Sequence, residues 1–177
     1  MVCECRPDRP CSDFADGDSH VHAHTPLPPT PTDTPIPPTA TPKANLPPNC
    51  VAASPSRMTI WPPDHRFVRV DELGVTDPEC GPIVITIDSI FQDEPVDSRR
   101  DGSLGPDGYG VGSSTAAIQA ERAASSNGRV YHIGFTASDS VGGSCSGELF
   151  VGVPKSWDGQ DGPTDDGALY DSTLAAP

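Results

Sequence analysis

Aromatic residues make up only 6% of this 177-residue chain, and basic residues are scarce, with 11 Lys and Arg against 25 Asp and Glu. The net charge of −14 repels phosphate backbones and anionic headgroups, so nucleic acid and acidic membranes are poor partners and divalent cations suitable ones. No run approaches the roughly 18 apolar residues of a membrane span, which argues against membrane insertion. The opening stretch MVCECRPDRPC lacks the apolar core of a secretory signal. Taken literally this would leave the chain in the cytoplasm; the rest of the composition points instead to a piece of a longer secreted protein. G-x-S-x-G, EF-hand spacing and C-x2-4-C pairs are also missing, so the usual signatures of a serine nucleophile, a helix-loop-helix calcium site and a structural zinc site are not there.

Proline (22) and glycine (17) are plentiful, more than a fifth of the chain, so one core spanning the whole length is not expected. Residues 1–24 hold Cys3, Cys5, Cys11 and the run DGDSHVHAH with almost nothing apolar to bury, and read as disordered unless metal or disulfides hold them. Residues 25–48 contain ten prolines and six threonines, favouring extended polyproline II, and read as a semi-rigid spacer of roughly 70 Å at about 3.1 Å per residue. Residues 49–154 form the folded domain. Residues 155–177 are acidic, glycine-rich and without periodicity, a tail that docks only if Trp157 or Tyr170 finds a place on the domain.

Within the domain, FVRV (67–70) alternates, IVITIDSIF (83–91) puts Ile83, Ile85 and Ile87 on one face, and RVYHIGFTAS (129–138) sets Tyr131, Ile133, Phe135 and Ala137 inward. ELFVGV (148–153) does the same with Leu149, Val151 and Val153. Repeated period-two runs between turn residues predict an all-β, antiparallel sandwich. TAAIQAERA (115–123) has a helix-favouring composition, but its place among strands makes it a strand. In IWPPDHRFVRV (60–70), Pro62 and Pro63 rule out helix and central strand, so the segment leads into the first full strand with Trp61 as a buried anchor and His65 at the strand mouth. No nucleophile motif accompanies His65, and its role is structural.

These segments together resemble a bacterial extracellular immunoglobulin-like (PKD/HYR-like) domain found near the C-terminus of secreted or surface proteins. The family pattern is approximately WPPNHK, a VTDPDGDP turn, QDEPV, an Asp-rich loop, RAER, GRVY, a TASD turn with GGSCSG, and VPHD. The likeness covers residues 50–154. The chain departs from it with Asp64 for Asn, Arg66 for Lys, Cys80 for a turn glycine, Arg99-Arg100 in the loop, and Lys155-Ser156 after Val-Pro. The resemblance implies an immunoglobulin-like β-sandwich and a Cys50–Cys145 disulfide, which would close about 95 residues and contribute roughly 4 kcal/mol. From the residues alone Cys50–Cys80 is an alternative, and six cysteines allow fifteen connectivities.

Asp93, Glu94, Asp97, Asp101 and Asp107 in the long 92–114 connection, with Asp139 in a turn, are the candidate calcium ligands, since calcium takes six to eight oxygens from such loops. The alternative is solvated turn acids with an ion pair to Arg99 or Arg100. Glu121, Arg122 and Arg129 are charged residues at strand ends; a buried Arg–carboxylate pair holding the two sheets together is one arrangement, and since consecutive strand positions point to opposite faces, solvation of one of Glu121 and Arg122 is the other. His20, His22 and His24 with the nearby cysteines are a candidate zinc or copper set. The function expected is a non-catalytic extracellular module for adhesion, display or assembly at a bacterial surface, partnered by a protein or glycan. The alternatives are an accessory carbohydrate- or substrate-binding domain of a secreted enzyme, using Tyr109, Trp157 or Tyr170, and a metal-binding protein using the N-terminal segment.

Overall fold

The computed structural model describes residues 43–96, 105–157 and 162–175; the candidate metal set of residues 1–24 and the loop residues Asp97, Asp101, Arg99 and Arg100 lie outside them. Among the described residues there is no helix, so none is long and apolar enough to cross a membrane. Among the described residues eight antiparallel strands form two sheets. In chain order they are β1 (Ser54–Pro55), β2 (Phe67–Leu73), β3 (Ile83–Gln92), β4 (Gly108–Tyr109), β5 (Thr115–Gln119), β6 (Arg129–Asp139), β7 (Ser144–Val153) and β8 (Tyr170–Asp171). One sheet runs β1-β2-β5-β4 and the other β7-β6-β3-β8.

The alternation read from the sequence places the core. Tyr131, Ile133, Phe135 and Ala137 of β6 and Leu149, Val151 and Val153 of β7 are buried with Ile87 and Ile90 of β3. They pack in one cluster with Val70, Ala116 and Ile118 of the opposite sheet, giving a sandwich-like arrangement. Each large apolar side chain so buried contributes about 1.5–3 kcal/mol. A register shift between Ile87 and Ser89 on β3 carries the inward-facing parity from Ile87 to Ile90. TAAIQ is a strand despite its composition, because both its edges are paired, to β2 and to β4.

The β6–β7 hairpin pairs from Arg129↔Val153 to Ser138↔Ser144. At its turn Asp139 Oδ1 accepts from the Val141 and Gly143 amides at 2.7 and 2.9 Å, and the side chain of Asn45 donates to Oδ2 at 2.8 Å. These donors, led by Asn45, hold the Asp139 carboxyl below its ordinary range. The acidic C-terminal segment is part of the second sheet: β8 pairs with the end of β3, and Ser172 is fully buried. Pro163 lies against Gly128 and Gly152, and Asp165 Oδ1 meets His132 Nε2 at 2.8 Å, so Val130 and His132, on the outward parity of β6, are covered as well.

Cys50 and Cys145 are bonded, with Cα atoms 5.9 Å apart, which joins the segment before β1 to β7 across 95 residues of chain. The Cys50–Cys80 alternative is thereby overturned; Cys80 sits exposed in a turn organised by Asp77, whose Oδ1 accepts from the Glu79 and Gly81 amides. Trp61 is not the buried anchor expected of it and is 38% exposed. That place belongs to Ile60, whose amide donates to Gly152 O at 2.9 Å, and neighbouring residues of an extended chain point opposite ways. Replacing both Cys50 and Cys145 by Ala should lower the unfolding free energy by about 2–5 kcal/mol in chemical denaturation, whereas an unchanged midpoint would show that the bridge constrains little.

Candidate binding groove and buried ionic cluster

The first residue of β6 shares the inward parity of Tyr131 and Ile133, yet it is an arginine. Arg129 is fully buried, and its guanidinium collects acids from three other sections of the chain. Nε donates to Glu94 Oε2 at 3.0 Å, while Nη1 donates to Asp107 Oδ2 and Glu121 Oε1, both at 2.9 Å, and to the Tyr131 hydroxyl at 3.1 Å. Tyr131 in turn donates to Gln119 O at 2.8 Å, and Gln92 Nε2 donates to Asp107 Oδ2 at 2.7 Å. Glu94 Oε2 also accepts from the Ala123 amide. Arg129 and Glu94 flank strands of one sheet, and Asp107 and Glu121 flank strands of the other, so the guanidinium bridges the two sheets at one end of the core.

Burial penalises every charge here. It is the largest influence on Arg129 and would lower it, but Tyr131, Asp107 and Glu121 outweigh it and the guanidinium stays charged. Burial likewise raises the Tyr131 hydroxyl and keeps it neutral. The Asp107 carboxyl is pushed up to about 7, chiefly by burial, against the pull of Arg129 and Gln92 and with the help of Glu121. Asp93, raised mainly by burial, accepts from the Val130 amide at 2.9 Å and lies beside this group.

Of the candidate calcium ligands, Glu94 and Asp107 are therefore brought together, by the Arg129 guanidinium, while Asp139 lies in the β6–β7 turn at the far end of β6. Among the described residues no three His, Cys, Asp or Glu side chains converge as a metal-holding group. Glu121 is buried, and Arg122, pointing the other way, donates to Pro154 O, Lys155 O and Ala123 O, fastening the chain as it leaves β7. His65, with φ of 63°, reaches the cluster from outside: Nδ1 is 3.1 Å from Glu121 Oε2 and its amide donates to Ala120 O.

The residues on either side of His65 line an open groove of about 550 Å³. One wall is Arg57, Thr59, Ile60 and Trp61; the other is Arg66 to Arg69 at the start of β2; Trp157 closes one side. The Trp61 and Trp157 rings lie 6.1 Å apart, and Phe67, on the other wall, packs on Tyr109 at 5.0 Å. All four aromatics are exposed, between 38% and 65%. Arg66 pairs with Asp64 through a 2.7 Å bond from Nε, which holds that carboxyl low, and Arg69 donates to Thr115 Oγ1. The gathering of three arginines and two tryptophans needs segments far apart in sequence, and no local motif announces it.

Compared with known proteins, the chain matches no family model, no curated protein and no solved structure.

Arg129→Met strands buried carboxylates and should cost about 3–5 kcal/mol of stability, with Arg129→Lys recovering only part because a point charge cannot serve acids on several sides. Asp107 titrates near about 3.9 when unfolded. A folded value raised to about 7 means that its protonated form stabilises the fold fully below about pH 4, and that this contribution is lost as pH rises through neutrality. Urea unfolding from pH 4 to 8 should show Asp107→Asn gaining on the wild type as pH rises, by about 1–4 kcal/mol, and a constant difference would contradict the assignment.

Proposed function

We propose that this chain carries a non-catalytic, extracellular immunoglobulin-like module that binds a protein or glycan at a bacterial surface, in adhesion, display or assembly. The observation that carries the reading is the groove: exposed tryptophans and arginines gathered on a rigid two-sheet scaffold are the residue types that dominate binding hot spots. The disulfide suits an oxidising compartment, and the Pro/Thr-rich stretch suits a spacer that holds the module away from its anchor. The order of the WPPDHR, QDEPV, AER, GRVY and GGSCSG segments supports the immunoglobulin-like class. The non-catalytic reading draws on the acids themselves: Glu94, Asp107 and Glu121 are committed to Arg129 inside the fold. A second reading, an accessory carbohydrate-binding domain of a secreted enzyme, draws on the same neighbouring Trp61 and Trp157 rings, since exposed aromatic faces are apt for sugar faces.

The purified chain should bind intact bacterial cells, and Trp61→Ala combined with Trp157→Ala should weaken that binding at least about tenfold while the circular dichroism and unfolding midpoint stay near wild type. Equal binding by the double variant would overturn the assignment of the groove. Retention on a glycan array, lost in the same variant, would select the accessory-domain reading.

A further inference from the structure

We propose that the groove takes an extended acidic peptide, which adds as a strand to the open edge of β2; this deepens the reading above and rests on it.

Ala120 N donates to Arg66 O, and Gln119 N donates away from β2, to Asp107 O. In the antiparallel ladder Val68↔Ile118 and Val70↔Ala116, the backbone groups of Arg66, Val68 and Val70 therefore face β5. The odd residues face the other way. Asp71 shows it directly: its carbonyl accepts from the Ser56 amide and its amide donates to Ser56 Oγ, on the β1 side. After Ser56 the chain peels off to β7, where Ile60 N donates to Gly152 O and Gly152 N donates to Met58 O. The N–H and C=O groups of Phe67 and Arg69 are left facing the groove, with no partner among the described residues.

The opposite wall repeats the pattern. With Met58 and Ile60 bonded to β7, alternation turns the Thr59 backbone toward the groove. The open edge of β2, with donors and acceptors at Phe67 and Arg69, thus faces the Thr59 backbone across one opening, and an exposed edge with alternate groups is what strand addition requires. An unguarded edge is a liability that proteins ordinarily cover or charge. Here the charges are Arg57 and Arg69, with Arg66 already paired to Asp64, in a chain with a net charge of −14. They repel no acidic segment; they attract one. Arg69 lies on the exposed face of β2, where a carboxylate on the added strand would sit opposite it, while Val68 and Ile60 offer an apolar floor to alternate side chains. A sugar acid would use the arginines, but its hydroxyls do not repeat at the two-residue spacing of a strand edge as the amides and carbonyls of an extended peptide do. A second copy would bring its own −14 charge to the encounter, which disfavours self-pairing.

The test uses the full chain, isotope-labelled, titrated with a capped heptapeptide of alternating Glu and Val. The same peptide N-methylated at alternate residues, and an oligogalacturonate of matched carboxylate number, are run beside it. Strand addition predicts saturable shifts at Thr59–Trp61 and Phe67–Arg69, slowed amide exchange at Phe67 and Arg69, and binding at least about tenfold weaker for the N-methylated peptide. Arg69→Glu and Arg57→Glu, both at exposed positions, should each weaken the peptide by a similar factor and steepen nothing else. Equal binding of the N-methylated peptide would reduce the effect to charge attraction and overturn the proposal. Saturation by oligogalacturonate with a silent peptide would make the groove a glycan site, and concentration-dependent dimerisation lost in Arg69→Glu would make it a self-interface; either overturns it, as does a peptide that fails to bind. Cell binding that still depends on Trp61 and Trp157 would then leave the broader reading standing.

Discussion

The structure turns on a single guanidinium. A fully buried arginine cannot be left without anions, and Arg129 finds them only if the end of β3, the start of β4 and the residue pair after β5 converge on the start of β6. Both ends of the long connection between β3 and β4 are fixed by that one group. Exchanging such a cluster for apolar side chains is often neutral in stability, whereas removing one member is costly, so its consequence here is geometric. It sets which loops meet at this end of the sandwich. Glu121, held on one oxygen by Arg129, presents the other to His65, which precedes the Arg66–Arg69 wall of the groove in the chain. Burial lifts Asp107 toward neutrality, so the cluster does not carry the full charge of all its acids.

The groove itself is a product of topology. A two-residue β1 pairs with only the last part of β2, and the chain then leaves for the other sheet, so the first part of β2 keeps an open edge. Ile60 is the pivot of that departure, buried at 4% and bonded to β7. Its neighbour Trp61 is consequently turned outward to Trp157. The same crossing that ties the two sheets together thus exposes the aromatic and cationic strip on which the functional proposal rests.

Much of the fold is legible in the sequence because alternation is a direct physical signal. The parity of RVYHIGFTAS and ELFVGV assigned Tyr131, Ile133, Phe135, Leu149, Val151 and Val153 to the core, where they lie. The two-residue strands β1, β4 and β8 are too short to show a period, and the acidic composition of 155–177 concealed a segment that completes the second sheet. The Cys50–Cys145 pairing came from the family likeness, since spacing alone could not choose it. Arg129 was readable in part: it holds the inward parity of its strand, and a charge at such a position demands buried partners. Which acids supply them was not readable, because they lie 35, 22 and 8 residues away. Trp61 misled because an aromatic beside two prolines has the composition of an anchor, while the adjacent Ile60 carries out that role.

The most direct test of this account is residue-resolved amide hydrogen exchange on the unliganded chain at neutral pH. The account predicts an alternating pattern along β2, with Val68 and Val70 protected by β5 and with Phe67 and Arg69 exchanging close to the rate of open chain. Protection at Phe67 and Arg69 in the free protein would mean that the edge is already covered, and the groove would have no strand site to offer.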